Sequence, residues 1–434
     1  MSVDFRRKAS VATVLAGLRL DPHAPMSAMV EIADRCNEKC VHCYQVQGQK
    51  GELDTEEWKA IFDELAEMGV ILLTLSGGEA TLRHDFLELV AHARKLRFSV
   101  KLFTNGLNMT PELARSLSEL AVQDIQISLY STRAEVHDWV TNVPGSWQRT
   151  VDGVRHLVAE GLSVTIKSPV MSFNADEVDD YISLAESLGA GFMLDPNLDG
   201  TEEGSAEPQQ FGIDDETYLR LRSHPALVTP VKGDAAPPKQ LERSVCGACS
   251  GHVHVEANGE MRPCTMLDVP VGDARRSVRS AWAENAQGRA IRELTWNDLH
   301  GCRDCDLQPR CGRCFASARL EGGDALGPYP GACRRAKLHH QLATGSEPII
   351  DDPSGLGVET GPYRRIAGDR FERIPDRVLP TDDAKARELS WTRGARTATA
   401  PQLIRPGDLV RIRRPGAKKS KLEAVPPRHE ATPD

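Results

Sequence analysis

Between Ala28 and Leu194 short apolar or β-branched runs alternate with stretches of helical period, and this alternation lays out a fold. The runs predict strands at Met29 to Ala33, Val70 to Leu75, Phe98 to Phe103, Asp124 to Leu129, Leu162 to Lys167 and Gly191 to Leu194. A helix with the stripe Trp58, Ile61, Phe62, Leu65 and Met68 lies between the first two, opened by Asp54 with Glu57 three residues on, the spacing of a capping box. Further helices are expected at Asp85 to Leu96, Pro111 to Leu120, Trp147 to Ala159 and Ala175 to Leu188. Strands that each neighbour a helix pair in parallel through right-handed crossovers. The fold class is therefore α/β, a partial (β/α)6 TIM-like barrel over residues 26–195, preceded by a short extension at 1–25.

From Asp195 to Leu241 the periodicity fades and Gly, Pro, Gln and acidic residues take over, which reads as a bridging segment at 196–242. Residues 243–340 are poor in apolar side chains and rich in cysteine, so metal ligation is expected to supply folding free energy that burial cannot. The extension at 341–434 is rich in Pro, Gly and Arg, with one strand-like piece at Asp408 to Ile412, and is expected to be partly disordered. Between Arg393 and Arg428 it carries ten Lys or Arg against Asp408 and Glu423, the charge of a solvated tail or of an arm for an acidic partner.

The chain has 434 residues, enough for two or three domains or one long barrel with additions. No apolar run approaches the roughly 18 residues of a membrane span, and Met1 to Leu20 lacks the pattern of a secretory signal, so a cytoplasmic location is expected. A formal charge of −9 argues against general nucleic-acid binding. The informative count is eleven cysteines, an odd number in a chain expected to stay in a reducing compartment, where spaced cysteines more often bind metal than pair.

Three of them form the loop Cys36-Asn-Glu-Lys-Cys40-Val-His-Cys43-Tyr44 directly after the first strand. Three thiolates can hold three irons of a cubane and leave the fourth open to another ligand, whereas full protein ligation takes four. A zinc or closed iron-sulfur site with His42 as fourth ligand is the structural alternative. The strand-to-helix loop sits at the mouth of a barrel, where such folds build active sites.

This loop resembles the signature of the radical S-adenosylmethionine (SAM) superfamily. Ser76-Gly77-Gly78-Glu79 after the second strand is similar to the family's glycine-glycine-glutamate motif, and Thr104-Asn105-Gly106 and Ser128-Leu129-Tyr130 resemble positions that approach the ribose. The resemblance implies catalysis at Cys36, Cys40 and Cys43, with Tyr44, Gly77, Gly78, Glu79, Thr104, Asn105 and Ser128 as cofactor contacts. It implies reductive cleavage of SAM to methionine and a 5′-deoxyadenosyl radical, with an external one-electron donor such as flavodoxin or ferredoxin. For Asn105-Gly106, ordinary turn chemistry is the competing account.

The other eight are Cys246, Cys249, Cys264, Cys302, Cys305, Cys311, Cys314 and Cys333, with nine residues between the second and Gly259. Their spacing resembles SPASM, the twin-cluster C-terminal domain of peptide- and protein-modifying radical SAM enzymes. The resemblance spans roughly residues 28 to 338 and implies three [4Fe-4S] clusters. Cys246, Cys249, Cys264 and Cys314 would hold auxiliary cluster I; Cys302, Cys305, Cys311 and Cys333 would hold auxiliary cluster II. The chain departs from the pattern in having only Gly312 and Arg313 before Cys314. Two tetrahedral zinc sites are the alternative for C-x2-C pairs.

Fully ligated auxiliary clusters would carry electrons after hydrogen abstraction, so the expected reaction is a net oxidation or cross-link of a peptide or protein. A sulfatase-type maturase would have an aspartate directly after the third cysteine of this set, where Thr265 stands; Asp268 follows three residues on. A redox-neutral epimerase and a noncatalytic metal-binding protein complete the alternatives. About 25 residues before the first strand cannot form a leader-binding domain, so a separate partner protein, the bridge or the basic arm would recognise the precursor peptide.

Overall fold

The computed structural model describes residues 24–227 and 238–345 and the strand residues 363–367 and 370–373. Six parallel strands run in sequence order across one sheet: β1 (Ser27–Ala33), β2 (Leu72–Gly77), β3 (Ser99–Thr104), β4 (Asp124–Ser128), β5 (Val164–Pro169) and β6 (Gly191–Asp195). Between them lie α1 (Thr55–Glu67), α2 (Phe86–Lys95), α3 (Pro111–Glu119), α4 (Ala134–Thr141), α5 (Ser146–Ala159) and α6 (Val178–Leu188). The expected strands all form, with ends displaced by up to two residues, and the fold is the unclosed α/β barrel expected. At the start of α1, Asp54 accepts from the Glu57 N–H at 2.9 Å and Glu57 accepts from the Asp54 N–H at 2.8 Å, completing the capping box.

Alternation along the strands separates two faces. Val100, Leu102, Ile125, Ile127, Val164 and Ile166 are buried with the apolar stripes of the helices, including Trp58, Phe62, Leu89 and Leu117. Each such large side chain contributes about 1.5–3 kcal/mol of burial. The opposite face carries Lys101, Phe103, Asp124, Ser128, Thr165, Lys167, Met193 and Asp195 and lines the barrel interior.

Two elements depart from the alternating pattern. Helix α4 carries β-branched residues and no side-chain cap, and ends at Asn142 in the left-handed region (φ 58°). The bridging segment, expected as an aperiodic connection, contains α7 (Asp215–Arg222), capped by Asp214.

The cysteine-rich segment is not a separate appendage. Its first strand, β7 (His252–Val255), pairs in parallel with β1, with Ser27 opposite His252 and Val30 opposite Val255. The antiparallel β8 (Glu260–Arg262) and β9 (Gly272–Asp273) extend the same sheet to nine strands. Helices α8 (Val278–Glu284), α9 (Ala286–Glu293), α10 (Phe315–Gly322) and α11 (Pro330–Thr344) follow. Glu64 of α1 accepts from the N–H groups of Val278 (2.7 Å) and Arg279 (3.0 Å), stapling the start of α8 to the barrel. A two-stranded antiparallel pair, β10 (Tyr363–Ala367) and β11 (Arg370–Arg373), ends the description. The strand expected at Asp408 to Ile412 lies outside the described residues.

Candidate active site

The three-cysteine loop leaves β1 after Ala33, and the exit of β2 is laid directly on it. The Gly78 N–H donates to the Ala33 carbonyl at 2.7 Å, and the Glu79 N–H donates to that of Arg35 at 2.9 Å. At Gly77 (φ +129°) a Cβ would stand 2.2 Å from the Ala33 oxygen; at Gly78 it would stand 2.4 Å from the Arg35 oxygen and 3.1 Å from Cys36 Cβ. Only glycine permits this approach. Gly78→Ala is therefore expected to push the loop off its position and cut SAM cleavage by about a hundredfold, measured as 5′-deoxyadenosine released per chain.

Glu79 is buried, and its carboxylate gathers the loop ends. Oε1 accepts from the Thr81 N–H (3.0 Å), the Thr81 hydroxyl (2.6 Å) and the Thr104 hydroxyl (2.8 Å), while Oε2 accepts from the Asn105 N–H (2.8 Å). Asn105 Nδ2 in turn donates to Asn37 Oδ1 at 2.7 Å and points at Cys36 Sγ at 3.8 Å. Gly77, Gly78, Glu79, Thr104 and Asn105 thus meet around Cys36. Ser128, at the end of β4, hydrogen-bonds Tyr130, whose hydroxyl lies 3.7 Å from Cys40 Sγ.

Helix α4 explains how the middle of the loop is held. The Lys39 and Val41 N–H groups donate to the Thr141 and Val140 carbonyls, each at 3.0 Å. Cys40 is buried in an apolar cluster with Tyr130, Val136, Val140, Met171, Phe173 and Phe211, and His42 packs edge-on against Tyr130. Burial, reinforced by nearby carboxylates, pushes the Cys40 thiol well above its ordinary range and Cys36 up to about 12; burial also raises Glu38 to about 8. These are soft sulfur donors in a site that disfavours bare negative charge. A positively charged, thiophilic group fits them, and binding it releases protons.

The second set sorts into two groups by mutual charge. After burial, Cys246 (raised to about 11) is pushed up by Cys264 and Cys314, and Cys249 (raised to about 12) by Cys264 and Cys246. Cys311, raised to about 12 by burial, is pushed further by Cys302 and Cys305. Cys333 lies on α11, which packs against the turn at 308–310 just before Cys311. Cys314, despite the shortened spacing before it, acts on Cys246 and Cys264. Arg313 is itself buried, and its charge opposes the rise at Cys302 and Cys311 and, more weakly, at Cys246. It serves both groups at once.

A buried polar junction joins the two loops, and sequence reading missed it. Glu31 of β1, His254 of β7 and Glu256 lie with their ligand atoms within 4.8 Å of one another. Lys50 Nζ reaches Glu202 Oε2 at 2.7 Å and Glu256 Oε1 at 3.0 Å, and Arg262 Nη1 reaches Glu256 Oε1 at 2.8 Å. Tyr44 sits among Glu31, Cys43, Glu202 and Cys264, all of which raise it after burial. Two cations on Glu256 leave this set without the negative charge a divalent ion needs. Burial raises Glu31 to about 7. Its folded value exceeds the unfolded one of 4.5, so this group lowers stability as pH rises from about 4.5 through 7. Glu31→Gln should flatten that decline, worth on the order of 3 kcal/mol, in denaturation midpoints taken at pH 5 and pH 8.

Comparison with known proteins bears on this geometry. The model for the Radical SAM superfamily matches residues 30–185, and that for SPASM, an iron-sulfur cluster-binding domain, matches 246–306. The mycofactocin maturase MftC of Mycolicibacterium smegmatis is 38% identical over 328 residues, 71% of this chain and 82% of that protein. The chain belongs to the radical SAM superfamily.

Other radical SAM relatives agree along their length. The AdoMet-dependent heme synthase of Methanosarcina barkeri is 29% identical over 71% of this chain and 96% of its own. The PqqA peptide cyclase of Methylocella silvestris is 30% identical over 74% of this chain and 90% of its own. Among solved structures, Streptococcus suis SuiB bound to precursor peptide SuiA superposes with a TM-score of 0.60 at 14% identity, over 74% of this chain and 78% of that one, a likeness of fold. Membership means that the protein binds [4Fe-4S] clusters and SAM. The SPASM match stops before Cys311, Cys314 and Cys333. Thr265 follows Cys264, and the Asp268 carboxylate pairs with Arg262 at 3.2 Å. Among the described residues no helix is long and apolar enough to cross a membrane.

Proposed function

We propose that this radical SAM enzyme abstracts hydrogen from a side chain of a peptide or protein and oxidises or cross-links it, using three [4Fe-4S] clusters. The observation that carries the reading is β7: it bonds the auxiliary cysteines' segment edge to edge with β1, the strand whose exit loop carries Cys36, Cys40 and Cys43. A fixed distance between catalytic and auxiliary ligands is what electron removal after hydrogen abstraction requires. PqqA peptide cyclase, a relative named for action on a peptide, supports the substrate class.

When bound, SAM and the reduced cluster supply a 5′-deoxyadenosyl radical. The chain's own residues supply position and shelter. Cys36, Cys40 and Cys43 would hold the first cluster; Gly77 and Gly78 bring the β2 exit onto that loop, and Glu79, Thr104 and Asn105 brace it. Tyr130, Phe173 and Phe211 shield the loop from water. Tyr44, Gly77, Gly78, Glu79, Thr104, Asn105 and Ser128 are proposed as SAM contacts. Cys246, Cys249, Cys264 and Cys314 would hold one auxiliary cluster, and Cys302, Cys305, Cys311 and Cys333 the other. An external one-electron donor such as flavodoxin or ferredoxin and a separate leader-binding protein are the proposed partners. Thiols kept for iron call for a reducing compartment, which supports the cytoplasm.

The heme synthase relative, matched along nearly its whole length, favours a second reading in which the substrate is not a peptide. One experiment separates them. Protein reconstituted without oxygen, given SAM and dithionite, should release 5′-deoxyadenosine. Candidate precursor peptides encoded beside its gene should lose two hydrogens by mass spectrometry. Cleavage of SAM with no change in any such peptide would favour the second reading.

A further inference from the structure

Arg313 stands in the chain between Cys311 and Cys314 and is buried, at 5% exposure. Its Nη2 donates to the Ala325 carbonyl and, at 2.5 Å, to that of Gly327, both in the loop between α10 and α11. The guanidinium carbon lies 5.4 Å from the centroid of the Phe315 ring. These contacts hold the head group in place, yet no carboxylate neutralises it. Among the described residues Arg313 has no ion pair, and Asp324, which feels its charge, is paired with His300 at 2.9 Å. Nε and Nη1 are buried, and no oxygen or nitrogen among the described residues accepts from them. Their neighbour is sulfur. Cys302 takes a hydrogen bond from the Arg313 side chain and feels its charge. Cys311 feels that charge as well, while at Cys246 it ranks behind the influence of Cys264 and Cys314.

A guanidinium taken out of water without an anion beside it is unfavourable. An iron-sulfur core held by four thiolates is such an anion, and its sulfurs accept hydrogen bonds. We propose, on the reading that each cysteine group binds a [4Fe-4S] cluster, that Arg313 sets the reduction potential of the cluster at Cys302 and Cys311. Its charge and its remaining N–H groups stabilise the reduced form and raise that potential above the one at Cys246. Reduction adds a negative charge beside a fixed positive one, and in a buried site the attraction is weakly screened. Because the hydrogen bond goes to Cys302, the two clusters are shifted unequally. One electron entering this domain then comes to rest on the Cys302 side, away from Cys264 and Tyr44 next to the radical-generating loop. A lysine in this place would keep the charge but could not brace two carbonyls and donate to sulfur together.

The test is a reductive titration followed by electron paramagnetic resonance on full-length protein reconstituted without oxygen. It is run in the Cys40→Ala background, where the two auxiliary couples are read alone, with Arg313 intact, with Arg313→Gln and with Arg313→Lys. Arg313→Gln is expected to make reduction of the higher-potential couple about tenfold less favourable, or about 59 mV for one electron, and to move the other couple less. Arg313→Lys is expected to recover about half of that shift. Loss of about four irons in Arg313→Gln but not in Arg313→Lys would also support the proposal, since the cluster then needs the charge. Unchanged potentials in Arg313→Gln at equal iron content overturn it. Loss of about four irons in both variants overturns it too, because the fork on the Ala325 and Gly327 carbonyls would then be a brace for the fold alone. Zinc in place of iron with Arg313 intact refutes the auxiliary clusters themselves, and the role of Arg313 falls with them.

Discussion

Cys40→Ala protein, purified and reconstituted without oxygen, is expected to hold about eight irons in place of about twelve and to release no 5′-deoxyadenosine above background. Cys40 is the most enclosed of the three loop thiols, pinned from both sides by the Lys39 and Val41 N–H bonds to the end of α4. Alanine fits that apolar cluster in size, so the loop keeps its path and the effect isolates ligation from folding. Two sulfurs then remain for an iron cluster that needs three. SAM cleavage that persists in this variant at more than about a hundredth of the wild-type rate would contradict the assignment of this loop as catalytic.

The second large effect separates radical generation from its use. Cys264→Ala should also lose about four irons, but from the auxiliary side, because Cys264 acts on Cys246 and Cys249 and lies near Tyr44. The Cys36 loop keeps its β1 and β2 contacts. Deoxyadenosine release is therefore expected to continue, uncoupled from substrate oxidation, while peptide product falls to background. Product formation unchanged after loss of those irons would mean either that the electron leaves by another route or that the reaction is redox-neutral.

The barrel was legible because its outer face obeys two clean periods. The Trp58, Ile61, Phe62 and Leu65 stripe, the Asp54 capping box and the β-branched strands each point to one answer. The cysteine loop was legible because its three ligands are neighbours in the chain. Helix α4 was not, since eight residues rich in β-branched side chains give a weak period and its stability comes from packing Val136 and Val140 against the loop it holds. Strand β7 was hidden because His252-Val-His-Val255 lacks the β-branched run of its neighbours and lies among cysteines that drew the reading toward metal alone. The Glu31, His254 and Glu256 junction joins residues from distant parts of the chain, and one signal was present: a glutamate inside the apolar run from Met29 to Ala33. An acid there faces the barrel interior, where Lys50, Glu256 and Glu202 act on it.

The account stands most directly on the metal content of the intact chain. Iron, acid-labile sulfide and zinc are to be measured on protein purified and reconstituted without oxygen. About twelve irons and about twelve sulfides per chain, with zinc absent, are predicted. About four irons with one or two zincs would contradict the auxiliary clusters and remove the oxidative step from the proposed reaction.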